Sequence, residues 1–303
     1  MKEARANPVN VPLALDRPWS GIVADYVALT KPRLNLLVVV TSAAGYYLGS
    51  NGAPELLPII QVAAGTALVA GGSAVLNQVS ERDTDGLMRR TRTRPLPDGR
   101  VTPVDARTFG IILAVAGLGL LALASLLAAL LALATLVIYV AIYTPMKRRS
   151  SLATLVGAVP GALPPLIGWA AGHGTVSLGG WTLFGIVFLW QIPHFMAIAW
   201  MYRDDYSRAG FPMLPVLEPD GRRTGRQAVL YSAALLPVSA LPAFVGIAGQ
   251  PYLWVALVLG ALLLWLSSRF AAARSDAAAR ALFYGSLIYL PLVWVVMVLD
   301  HPV

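Results

Sequence analysis

The chain has 303 residues, of which 57% are hydrophobic and only 13% charged, and its mean hydropathy is +0.67. A water-soluble domain of this length does not carry that much apolar surface, which leaves an integral membrane protein. The net charge of +8 would suit a nucleic-acid binder, but the basic residues lie in short clusters between apolar runs, and that class is excluded. The absence of cysteine removes disulfides, thiolate nucleophiles and cysteine metal sites.

In chain order, residues 1–20 read as a polar N-terminal segment without the apolar core and small-residue cleavage site of a removable signal. Residues 21–303 then read as a single all-α transmembrane domain. Runs long enough to cross a bilayer fall at about 33–48, 56–79, 108–124, 126–143, 152–171, 181–200, 227–248, 252–268 and 281–299, a bundle of about nine helices. The stretch from Phe109 to Tyr143 is almost uninterrupted and too long for one crossing, so a hairpin is expected near Ser125. All 23 Lys and Arg fall on one side of this topology: in the N-terminal segment and in the connections after the second, fourth, sixth and eighth spans. Positive charge marks the cytoplasmic side, so the N-terminus is expected there and the tail at Asp300 outside.

Three patches at that basic side hold more chemistry than orientation needs. If the second span continues as helix, Asn77, Glu81 and Asp85 recur at i, i+4 and i+8 and line up oxygen ligands on one face, while Asp83 points elsewhere. Hard oxygen ligands with open positions suit Mg²⁺ bridging to a phosphate, and Arg90 and Arg94 follow close enough to grip phosphate oxygens. The sixth span carries Gln191 and His194 on a shared face around Pro193, and ends at Asp204 and Asp205, acids placed to complete a second metal site. The fourth span closes with Tyr139, Tyr143, Lys147, Arg148 and Arg149. A tyrosine ring beside a diphosphate stabilises a developing carbocation, and a lysine balances the leaving group. Each patch alone also fits a solvated loop, a packing histidine or an interfacial anchor; their convergence on one face points to a site.

These residues carry a resemblance to the UbiA-type intramembrane prenyltransferase superfamily, whose first motif of Asn and four-residue-spaced carboxylates is matched by Asn77, Glu81 and Asp85. Longer strings resemble its haem-modifying branch: Leu29-Thr30-Lys31-Pro32-Arg33, Arg90-Thr91 with Arg94-Pro95-Leu96, Tyr143-Thr144-Pro145 with Lys147-Arg148-Arg149, and the Gly/Pro-rich 157–168. Trp190 to Phe195, Asp205-Tyr206, Met213-Leu214-Pro215, Phe283 and Ser286 to Leu290 extend the likeness towards the end of the chain. Two departures stand out. Glu81 replaces the aspartate of many members, and Asp204 and Asp205 are adjacent where the wider superfamily spaces its second carboxylates by four.

The resemblance implies transfer of a farnesyl group from farnesyl diphosphate to a vinyl group of haem B with addition of water, giving haem O and diphosphate. It implies Mg²⁺ on Asn77, Glu81 and Asp85 with Asp204 or Asp205, a diphosphate clamp of Arg90, Arg94, Lys147 and Arg148, and Tyr143, Lys147 and His194 as catalytic groups. His194 would bind haem iron, orient a propionate or guide the water. Residence in a bacterial inner membrane follows, with the active site on the cytoplasmic side and a second copy or a haem A synthase as candidate protein partner. A sister enzyme acting on a quinone precursor or chlorin is the nearest alternative. A transporter would place ionisable groups at the midplane and show repeats, whereas these acids gather on one face.

Overall fold

In a computed structural model the described residues are 18–50, 52 and 55–302; residues 1–17, with Lys2, Arg5 and Arg17, lie outside them. The described chain is helical without strands. It comprises α1 (Trp19–Leu29), α2 (Pro32–Gly49), α3 (Leu56–Leu87), α4 (Pro103–Ala124) and α5 (Leu126–Val137). A π-helical turn (Ile138–Tyr143) leads from α5 into α6 (Thr144–Met146) and α7 (Ala153–His173). There follow α8 (Leu178–Met201), the short α9 (Arg203–Arg208) and α10 (Leu214–Leu217), then α11 (Arg222–Phe244), α12 (Gln250–Ala273) and α13 (Asp276–Leu299).

Among the described residues eight helices are long and apolar enough to cross a membrane, and nine if α1 and α2, bent by 52°, are taken as one crossing. The expected polytopic bundle is therefore present. Its first crossing is more elaborate than a run over 33–48, because Pro32 cannot continue α1 and the chain restarts at a bend. The break expected near Ser125 is there. Ser125 leaves the helical region with φ −162° and ψ 123°, and its hydroxyl accepts from the Ala128 amide at 3.3 Å, ending α4 and capping α5 with a single residue.

At 32 residues, α3 is about 48 Å long against an apolar bilayer core of about 30 Å. Its last turns must therefore project beyond the hydrocarbon, and these turns carry Glu81 and Asp85. Small residues let its neighbours approach. A Cβ on Gly72 would lie 2.6 Å from the Gly110 carbonyl of α4, so the two backbones touch where any side chain would separate them.

Alternation of the crossings gathers the α3–α4, α5–α7, α8–α11 and α12–α13 connections at one end with every Lys and Arg among the described residues. Contacts tie that end together: Asp25 of α1 pairs with Arg100 of the 88–102 connection, and Arg203 pairs with Asp276 at 2.7 Å. Leu29 packs in a cluster with Val75, Leu96, Val101 and Ala106, holding α1 against the α3–α4 connection. The opposite end is closed by Asp300, whose Oδ2 accepts from the Gly249 and Tyr252 amides at 2.8 and 2.9 Å.

Candidate active site

The projecting end of α3 is the centre of the basic end. Asn77, Glu81 and Asp85 share one face as the spacing predicts and are all buried, whereas Asp83 is exposed and pairs only with its neighbour Arg82. Burying two carboxylates beside each other is costly unless cations meet them. Lys147 donates to both Glu81 oxygens at 3.0 and 3.1 Å, and Arg94 donates to Asp85 Oδ2 at 2.8 Å. Thr91 adds a bond from its hydroxyl to the Asp85 main-chain oxygen at 2.7 Å, which folds the arginine-rich loop back over the helix end.

Asn77 is oriented by a short chain of bonds. The Thr144 hydroxyl donates to the Tyr139 carbonyl at 2.8 Å, so its lone pairs receive Asn77 Nδ2 at 3.0 Å. That fixes which end of the amide is which and leaves Oδ1 as the available ligand atom. Thr144 is placed for this by the π-turn, a wide helical turn of the kind found at functional sites, directly before Pro145. The same turn stacks Tyr139 and Tyr143 at 5.3 Å and 23°. Tyr143 rests on Gly157 of α7, where an added Cβ would fall 2.6 Å from its ring.

Aromatic rings carry the cations on the other side. The Arg90 guanidinium stands 4.9 and 4.8 Å from the ring centres of Tyr202 and Tyr206, and Lys147 Nζ stands 4.6 Å from that of Phe211. These contacts bring the α3 end, the 88–102 loop, the α5–α6 end and the α8–α10 segment to one place.

Lys31, which the sequence placed only among the basic residues of that end and in the string from Leu29 to Arg33, joins them. It is the N-cap of α2 and sits in the left-handed region at φ 51°, φ/ψ that a non-glycine residue before proline rarely takes. Gln78 of α3 holds this bend by donating to the Leu29 carbonyl at 2.6 Å. Because α1 packs on the 88–102 connection, Lys31 lies outside the apolar crossing. Burial, helped by the nearby Arg94, lowers its pKa from 10.5 to about 8, against the pull of Glu81 and Asp85. The signal available in the sequence was Thr-Lys-Pro at the start of a span, a cation where the backbone must turn.

Other expected site residues stand apart. Arg148 donates to the Ser80 carbonyl at 3.1 Å, beside the acid face rather than on it. Asp204 is exposed, and Asp205 pairs with Arg208 one turn along its own helix. Gln191, on the shared face with His194, bonds the Ala158 and Val187 carbonyls. His194 lies eight residues before Tyr202 on α8, about 12 Å deeper along the axis. It stacks between Trp190 and Phe283, 5.0 Å from each ring. The Ser286 hydroxyl donates to the Phe283 carbonyl at 2.6 Å and so accepts from His194 Nδ1 at 2.8 Å, which leaves a lone pair on Nε2.

Among the described residues no three His, Cys, Asp or Glu converge as a ready-made metal cage. Two carboxylates and one amide oxygen suit Mg²⁺, which typically keeps positions for water and substrate phosphate instead of being caged by protein. The donor set therefore fits a metal that arrives with a phosphorylated ligand.

The fold and the site define a polytopic helical membrane protein with a buried acid face closed by cations at one end of its bundle. Residues 38–290 match the UbiA prenyltransferase family, and the chain belongs to that family. It is thus a transferase of prenyl groups. It is 46% identical over 288 residues to a protoheme IX farnesyltransferase from Solibacter usitatus (strain Ellin6076), covering 92% of this chain and 99% of that one. Among solved structures it is similar to a digeranylgeranylglyceryl phosphate synthase (TM-score 0.78, 18% identity, 92% of this chain and 98% of that one). It also resembles a UbiA homologue from Archaeoglobus fulgidus bound to GPP and Mg²⁺ (TM-score 0.66, 17% identity, 90% and 99% covered). At these identities the structural likenesses establish the fold alone.

Proposed function

We propose that the chain transfers the farnesyl group of farnesyl diphosphate to a vinyl carbon of haem B, with water adding to give haem O and diphosphate. The observation that carries the reading is the buried Asn77–Glu81–Asp85 face clamped by Lys147 and Arg94 from two other elements. Similarity to farnesyltransferases of protoheme supplies the acceptor and donor, and the geranyl diphosphate and Mg²⁺ bound by the Archaeoglobus homologue support a metal-dependent diphosphate.

Asn77, Glu81 and Asp85 would hold Mg²⁺, with Asp205 and Asp204 the acids available to a second ion. When bound, the metal neutralises charge on the departing diphosphate. Lys31, Arg90, Arg94 and Lys147 grip the diphosphate oxygens, and arrival of the donor lets Lys147 and Arg94 exchange carboxylate for phosphate partners. Arg148 extends this positive rim. Breaking the allylic C–O bond leaves a cation that the faces of Tyr143 and its stacked neighbour Tyr139 stabilise while excluding water. The vinyl carbon bonds to the allylic carbon, and water captures the porphyrin-side cation, losing one proton. His194 presents a lone pair and no N–H at its free edge. In that tautomer it would ligate iron or accept that proton.

The domain spans residues 21–303. The basic end faces the cytoplasm of a bacterial inner membrane, because positive charge resists export. The experiment is incubation of purified protein with haem B, farnesyl diphosphate and Mg²⁺, followed by product mass. A farnesylated, hydroxylated haem is expected. A prenylated quinone precursor formed instead, with haem left unmodified, would move the chain to a sister activity.

A further inference from the structure

The end of the bundle opposite the acid face holds a cavity of about 710 Å³, a volume typical of cofactor sites. Its walls come from the end of α2, the α7–α8 connection, the α11–α12 connection and the residues after α13. Two of the three histidines of the chain line it, His173 and His301. Each has Nδ1 against a main-chain carbonyl: His173 against Gly49 at 3.3 Å and His301 against Ile247 at 2.6 Å. A carbonyl only accepts, so both rings carry their proton on Nδ1 and a lone pair on Nε2. This is the arrangement by which a second partner orients a metal-binding imidazole.

The remaining chemistry of the cavity narrows the ligand. Its described lining contains no Asp, Glu, Lys or Arg, so neither a phosphate nor a bare divalent ion finds charge compensation there. Two neutral imidazoles also fall short of the three or four protein ligands a zinc site uses. An iron porphyrin brings four ligands whose ring charge offsets the metal's, its propionates can stay in the water at the open mouth of the cavity, and it asks of the protein axial imidazole and flat apolar walls. Trp169, Phe244, Leu178 and Ile247 supply such walls. Trp169 is pinned by its Nε1–H to Ser177 at 3.0 Å and lies 5.1 Å from the His173 ring.

We infer that this cavity is a second porphyrin seat, at the face opposite the diphosphate clamp, in which His173 and His301 offer Nε2 to the iron. The inference rests on the porphyrin-handling activity proposed above. It gives the chain a holding place for haem away from the reacting centre.

The test is titration of the purified full-length protein in detergent with iron(III) protoporphyrin, read by the Soret and low-spin imidazole bands. The double variant His173→Ala/His301→Ala is expected to lose the signal of one equivalent, with affinity at that seat falling about tenfold or more. An unchanged far-ultraviolet circular dichroism spectrum and elution volume in the double variant separate a lost ligand from a lost fold. His194→Ala should keep the signal, and the double variant should keep farnesyl transfer in detergent within about twofold of the native protein. An unchanged stoichiometry and low-spin band in the double variant overturns the seat. Product mass is measured in parallel. A histidine-dependent band without farnesylated porphyrin sinks the proposed activity and leaves the seat, whereas product without that band sinks the seat alone.

Discussion

The basic end carries two pairs of carboxylates, on α3 and α9, that look alike in composition and differ in what holds them. Glu81 and Asp85 are withdrawn from solvent, with side chains 4% and 2% exposed, and their cations come from outside α3: Lys147, 66 residues away, and Arg94 in the connection that follows the helix. Asp205 is met by Arg208, three residues on and 41% exposed, and Asp204 faces solvent. Asp205 is itself buried, but a pair closed within one helical turn forms wherever that helix forms, whereas acids met across elements exist only because the fold assembles them. The α3 acids therefore define the site before any ligand arrives, and the α9 acids are free to adapt to one.

The comparison breaks most sharply in turnover. Asp85→Ala and Asn77→Ala should leave the protein in the membrane fraction and lower product formation by about a thousandfold or more. Asp205→Asn should lower it by only about tenfold. Equal losses in a detergent assay would erase the distinction between the two pairs.

Stability sharpens it next. Lys147→Met strands the Glu81 charge and should destabilise the protein by about 3–5 kcal/mol, while Arg208→Met, which removes a half-exposed guanidinium from its own helix, should cost less. Adding Glu81→Gln to Lys147→Met should recover most of the loss without recovering activity. Denaturant melts of the detergent-solubilised variants measure both.

The smallest effect is a pH profile. Lys31 is protonated below its pKa of about 8 and neutral above it, so donor KM should rise as pH passes that value. Lys31→Arg should flatten the rise, because arginine stays charged. The stability sign is opposite. The folded pKa of about 8 lies below the ordinary 10.5, so the unfolded chain binds the proton more tightly in that window, and raising pH through it favours the folded state. A profile identical in both proteins would remove Lys31 from the clamp.

How much of this was legible follows the range of the interactions. The acid face of α3 is a property of one helix, and i, i+4, i+8 spacing displays it directly. Crossings, the break at Ser125 and the charge asymmetry are likewise written in local hydropathy and charge. Lys31 was placed only among basic residues and in the string from Leu29 to Arg33, because its role comes from a bend that Gln78 of another helix holds. Arg148, named for the clamp through the resemblance, bonds the Ser80 carbonyl 68 residues away, a contact that no spacing displays. Ser286, the hydrogen-bond partner of His194, is on α13, 92 residues away, and no spacing announces it.

The π-turn at Ile138–Tyr143 has a consequence for evolution by insertion and deletion. A π-turn spends one more residue than an α-turn over about the same rotation, so removing one residue here and restoring an ordinary helix would leave everything downstream near its present phase. What would be lost is the widened turn itself, in which the Thr144 hydroxyl donates to the Tyr139 carbonyl and receives Asn77. Such a change would leave the hydropathy and length of the span scarcely altered and still free the Asn77 amide from the partner that orients it. The extra residue of this turn thus serves one amide on a different helix.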